Sequence, residues 1–151
     1  MRFISISVLL FVLTAAALAA TGEEIPPPGP GERCSLCGMF VARFPTWVAA
    51  IKKEGGEVAY FDGPREMFLL LFALRREGAK AKSFVTDYYS ARLVPAENAW
   101  YVVGSDQTGP MGRDLVPADS EKAAEGFKRD HGGSAVYPFD KITEKIIETL
   151  E

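Results

Sequence analysis

The residues of this chain most able to do chemistry lie together in Arg33-Cys34-Ser35-Leu36-Cys37-Gly38-Met39, which holds both of its cysteines. Two thiols in a CxxC spacing with a thioether close behind form a soft-donor cluster, and soft donors select Cu(I). The same spacing also serves a redox dithiol, a disulfide or half of a zinc site. A second methionine stands in an unusual setting, Gly109-Pro110-Met111-Gly112. That stretch has no apolar periodicity, and its glycines and proline suit a loop that presents one side chain for use. Cys34, Cys37, Met39 and Met111 are therefore the candidate metal ligands. Met67 falls in an apolar helical run and reads as core. His131, the one histidine, stands beside Gly132 at an expected helix end. There a solvent-facing residue is the usual meaning, with an auxiliary ligand as the alternative.

The elements that must position these residues follow from pattern. Residues 40–44 are short and β-prone, and residues 47–53 and 58–61 read as strands around a Gly55-Gly56 turn. A helix is expected from Pro64, with Asp62 or Gly63 as cap and Gly78 as its stop. Residues 83–89 and 99–103 are strand-like, separated by a turn or loop over 93–98. Tyr88, Tyr89, Trp100 and Tyr101 could line a groove, but core filling is the plainer role. Asp119 or Ser120 caps a helix to about Asp130, a strand follows over 135–139, and Asp140 caps a last helix with Ile142, Ile146, Ile147 and Leu150 on its buried side.

The N-terminus has the layout of a secretory signal. Met1-Arg2 is followed by an apolar run over residues 3–19 that ends in Ala17-Leu18-Ala19. Cleavage after residue 19 is expected, with an uncleaved anchor as the alternative. Leu18-Ala19-Ala20-Thr21 resembles a lipobox with threonine in place of the lipidated cysteine, so a lipid anchor at that position is not supported. Residues 20–32 include Pro26-Pro27-Pro28-Gly29-Pro30 and read as an extended tether. Export places the two thiols in an oxidising compartment. A net charge of −3 gives no reason to expect nucleic acid as partner.

Two segments look alike: 55–62 (Gly-Gly through Asp62) and 132–140 (Gly-Gly through Asp140), each leading into a helix, with Met39 and Met111 upstream of them. A duplicated unit accounts for this. The expected fold is α+β, two similar ββαβ-type units packed as one small protein, divided at 33–98 and 99–151. Paired halves can converge on one site, which would bring Cys34, Cys37, Met39 and Met111 together.

In these motifs, in order along nearly the whole mature chain, the sequence resembles the NosL family. That resemblance implies a small exported protein that binds one Cu(I) and helps assemble the copper sites of nitrous-oxide reductase. It implies a copper role for the cysteine motif and for the methionine of the second unit. It also implies, as partner, a copper-receiving protein such as nitrous-oxide reductase or its ABC-type assembly machinery. Cys34 is the expected primary thiolate, Met111 joins from the other unit, and Cys37 and Met39 complete or exchange at the site. No enzymatic activity is expected. The alternative is a periplasmic thiol–disulfide oxidoreductase using Cys34 and Cys37, although the residues after the pair read as extended and not as the helix such sites favour.

Overall fold

The computed structural model describes residues 24–150. The expected signal segment and the would-be lipid position at Thr21 lie outside the described residues. Among the described residues, no helix is long and apolar enough to cross a membrane.

The first half builds a four-stranded antiparallel sheet. Strand β1 (Ala49–Lys53) lies between β2 (Val58–Phe61) and β3 (Ala81–Thr86), and β3 also pairs with β4 (Leu93–Pro95). The helix α1 (Pro64–Arg76) connects β2 to β3 and packs on the sheet. In the second half, β5 (Trp100–Val103) lies between β8 (Val116–Ala118) and β9 (Ala135–Pro138), and α2 (Glu121–Asp130) connects these two. Both halves are therefore ββαβ arrangements on a central first strand. The second carries an added two-stranded hairpin, β6 (Thr108–Gly109) and β7 (Gly112–Arg113), between its first two strands.

The topology aligns the halves differently from the Gly-Gly motifs. The strand that leads into the first helix is β2, and its counterpart by connectivity is β8, not β9. Gly132-Gly133 follows α2 and so matches the Gly78 stop of α1. Gly-Gly turns precede strands in many settings, so a turn motif reports a turn and not a place in a repeat.

Local differences have similarly local causes. Residues 93–98 are not simply a turn: β4 pairs with the edge of β3, and a 3-10 turn follows over Ala96–Asn98. Of residues 40–44, only Phe40 makes a β-bridge, to Arg33, and Val41–Arg43 is a 3-10 turn before Pro45. The last helix, α3 (Glu144–Glu148), starts later than expected. A 3-10 turn occupies Phe139–Lys141, and the Thr143 side chain caps the helix by accepting from the Ile146 N–H.

One core runs beneath the first sheet and α1. It includes Phe61, Met67, Phe68, Val85, Tyr101, Ile142, Ile147 and Leu150, so the C-terminal segment packs back on the first unit. Burial of each such aromatic or aliphatic side chain contributes about 1.5–3 kcal/mol. Tyr101 meets Phe68 edge-on, 5.2 Å between ring centres, and donates its hydroxyl to the Ala96 carbonyl. A smaller cluster of Val102, Val116, Ala124 and Phe127 lies under α2, with Trp47, Tyr88 and Trp100 packed against it. Tyr88, Trp100 and Tyr101 thus serve as core; Tyr89 is exposed.

The proline-rich stretch is not a free spacer over its described length. Ile25 is buried in the main core, and the Tyr60 hydroxyl donates to the Pro26 carbonyl at 2.7 Å.

Candidate metal centre

The cysteine loop is a closed turn resting on the end of β2. The Cys34 N–H donates to the Met39 carbonyl (2.8 Å), and the Gly38 N–H donates to the Cys34 carbonyl (2.9 Å). Gly38 takes φ +77°, a left-handed conformation that glycine adopts without steric penalty. Arg33 donates to the Gly38 carbonyl and lies over the Phe40 ring, 3.9 Å from its centre, which pins the loop from outside. From inside, the Ser35 N–H donates to the Tyr60 carbonyl at 3.0 Å. Because β2 ends one residue before Asp62, this anchor delivers the loop to Asp62.

Three ligand atoms converge as a result. The sulfurs of Cys34 and Cys37 and a carboxylate oxygen of Asp62 all lie within 4.8 Å of one another. Cys34 and Asp62 are buried, Cys37 is exposed, and both cysteines are free thiols. The Cys37 sulfur approaches Asp62 Oδ1 at 3.3 Å and Oδ2 at 3.4 Å. Although Cys37 is exposed as a residue, its sulfur lies against the buried Asp62 carboxylate and near the Cys34 sulfur. Loss of water there, reinforced by hydrogen bonding to Cys34 and Asp62, pushes its thiol up to about 12.

That environment argues against the oxidoreductase reading. A reactive CxxC needs a stabilised thiolate, which a helix N-terminus or a nearby cation supplies. Here the pair lies in a turn followed by a bridge residue and a short 3-10 turn, and its exposed thiol faces a carboxylate. A protonated thiol beside a carboxylate suits a site that exchanges protons for a metal ion.

Asp62 is the member of this cluster that the sequence does not single out as a candidate ligand; there it reads, with Gly63, only as a possible helix cap. Gly63 is the N-cap of α1 and Pro64 the first helical position, so the Asp62 side chain is left free of that duty. The signal was an acid placed one residue too early to cap a Pro-initiated helix.

The two predicted methionines occupy different settings. Met39 is half-buried and closes the cysteine loop through its backbone carbonyl. Met111 sits at the turn of the β6–β7 hairpin, 43% exposed. The base of this hairpin reaches the first unit through Asp114, whose buried carboxylate accepts from the Arg65 N–H at the start of α1 (2.8 Å). Met67 is fully buried core. His131 does not join the cluster: its Nδ1 lies 3.1 Å from Asp106 Oδ1 and its ring stacks on Phe127, 4.2 Å between centres.

The sequence model of the NosL family matches residues 24–147. The chain belongs to the NosL family. It is 29% identical to the copper-binding lipoprotein NosL of Stutzerimonas stutzeri, over 93% of this chain and 81% of that protein. Its fold is similar to the crystal structure of the copper chaperone NosL from Shewanella denitrificans, with a TM-score of 0.68, 29% identity and coverage of 80% of this chain and 99% of that one. The solution structure of apo-NosL from Achromobacter cycloclastes is also similar in sequence, 27% identical over 66% of this chain and 87% of that one, with a TM-score of 0.46. These NosL relatives are named as a copper-binding lipoprotein and a copper chaperone, not for catalysis. The α+β fold anticipated from the sequence agrees with that of the Shewanella protein.

Proposed function

We propose that this protein is an exported Cu(I) chaperone that holds the ion between its cysteine loop and Asp62, with Met111 as the donor from the second unit. One observation carries the reading: two thiols and a carboxylate from segments 25 residues apart converge within 4.8 Å at a partly exposed edge. Thiolates and a thioether favour Cu(I) over harder ions, and the carboxylate offers charge and a proton acceptor. On loading, Cu(I) replaces the thiol protons, and Asp62, already hydrogen-bonded to Cys37, receives the Cys37 proton on its way to solvent. Exposed Cys37 and Met111 are the ligands a recipient reaches first, so they exchange while buried Cys34 retains the ion longest. Met39, at the other end of the loop, completes the shell during exchange.

The cargo fits a recipient that is itself a cuproenzyme or its assembly machinery, and membership of the NosL family points to nitrous-oxide reductase. The N-terminal signal pattern supports a location in the periplasm or cell envelope. With Thr21 at the would-be lipid position, this placement relies on secretion or on an uncleaved signal, not on acylation there.

X-ray absorption on the Cu(I)-loaded protein tests the proposal. The expected first shell is dominated by sulfur and loses one sulfur scatterer in Met111→Ala. A shell of nitrogen and oxygen alone, or tighter retention of Zn(II) than of Cu(I) in direct competition, would overturn it.

A further inference from the structure

We propose that Asp114 is a positioning residue for metal binding, holding the Met111 hairpin in place relative to Cys34, Cys37 and Asp62 by capping α1 from the other unit. This rests on the reading above, in which Met111 is a copper ligand.

Helix α1 begins without a cap of its own. Gly63 has no side chain to accept from the first free N–H groups, which must find partners elsewhere. Asp114, 49 residues on from Arg65, supplies the acceptor: Oδ1 takes the Arg65 N–H at 2.8 Å and the Leu115 N–H at 2.7 Å. The second oxygen, Oδ2, is wedged between the two halves. A β-carbon at Gly63 would collide with it, and one at Gly109 would approach it to 2.9 Å. Gly63 follows Asp62 directly, and Gly109 precedes Met111 by two positions. One carboxylate thus touches the backbone beside a cluster residue and the backbone beneath the hairpin turn.

This joint is made of groups that are unfavourable to bury. Asp62, Glu66 and Asp114 are all at most 4% exposed. Arg65 is paired with Glu66 through Oε1 at 3.0 Å and also donates to the Leu150 carbonyl. Among the described residues Glu66 Oε2 has no hydrogen-bond partner, and it faces the same point at Gly63 that Asp114 Oδ2 occupies. Burial pushes both carboxyls upward, and the Glu66 charge adds to the effect on Asp114. One proton shared between Glu66 and Asp114 would satisfy the orphan oxygen and fasten the hairpin to α1. A helix cap needs only an asparagine or serine at position 63; a buried acid reaching across from the hairpin does more than cap.

The test compares Asp114→Ala, Asp114→Asn and Met111→Ala, singly and combined, by Cu(I) X-ray absorption and by chelator competition. Asp114→Asn keeps the Oδ1 acceptor and adds an amide donor toward Glu66, so sulfur coordination and affinity stay as in the parent. Asp114→Ala loses one sulfur scatterer and about tenfold in affinity, and adding Met111→Ala costs nothing further. Gly109→Ala, which pushes a methyl group against Asp114 from the hairpin side, shows the same sulfur loss and serves if Asp114→Ala fails to fold. Penalties that simply add, or full sulfur coordination in Asp114→Ala or Gly109→Ala while Met111→Ala loses a scatterer, overturn the positioning role and leave the copper site standing. No change in Met111→Ala overturns both.

Discussion

Cys37 and Asp62 face each other as donor and acceptor: the sulfur lies 3.3 Å and 3.4 Å from the two carboxylate oxygens, joining a loop that precedes the first sheet to the end of its second strand. Asp62→Asn keeps the shape and removes the carboxylate that, in the proposed site, lies between Cys37 and the copper ion. Cu(I) affinity is expected to fall by about tenfold to a hundredfold, measured by competition with a chromogenic Cu(I) chelator. Unchanged affinity would remove Asp62 from the site.

Copper uptake should tighten as pH rises. With its thiol pushed up to about 12, Cys37 carries its proton throughout the neutral range, and the ion must displace it. Each unit of pH therefore strengthens binding by about tenfold through this residue alone. Cys37→Ser should reduce the slope of log affinity against pH by about one, which a chelator titration between pH 6 and 8 would reveal.

Folding stability should move the other way. Burial raises Glu66 and Asp114 above the ordinary carboxylate range, so the native state holds protons more firmly than the unfolded chain. Their contribution is then complete below the unfolded pKa of about 4 and is lost as pH rises through the elevated native values. Glu66→Gln, which cannot ionise, should flatten this decline in denaturant titrations from pH 4.5 to 8. An unaltered profile would show that Glu66 does not titrate as its burial implies.

Gly63 is constrained by space and not by its backbone, which is extended at φ −164° and open to any residue. Gly63→Ala drives a methyl group into Asp114, and forced overpacking of this kind costs about 1–3 kcal/mol. Urea unfolding of the apo protein should show that loss, and combining the change with Asp114→Ala should relieve much of it.

Much of the fold was legible because its signals are local. Pro64 after Gly63 marked the start of α1, Ser120 marked α2, and the Ile142, Ile147 and Leu150 pattern marked a C-terminal segment with one buried face. The β4 pairing was not legible, since Leu93–Pro95 is short and gains its partner only at a sheet edge. The equivalence of β2 with β8 was hidden because the inserted hairpin lengthens one connection, while the Gly-Gly motifs drew attention to β9. In the site, the thiols announced themselves by type and spacing. Asp62 did not, because an acid near a helix start has a commonplace structural role. Asp114 could not be found at all from sequence, since its meaning depends on a glycine 51 positions earlier.

Tyr60 holds the N-terminal stretch and the cysteine loop at once, its hydroxyl on the Pro26 carbonyl and its own carbonyl on the Ser35 N–H. The chain from Pro26 to Ser35 is therefore a short bight tied at both ends to one residue. Tension applied to the protein upstream of Ile25 is taken up by this knot and by the β-sheet behind it before it reaches the sulfurs. A pull from that end must first draw Ile25 out of the core and break the Tyr60–Pro26 hydrogen bond, and only then does it strain the backbone bond that seats the cysteine loop.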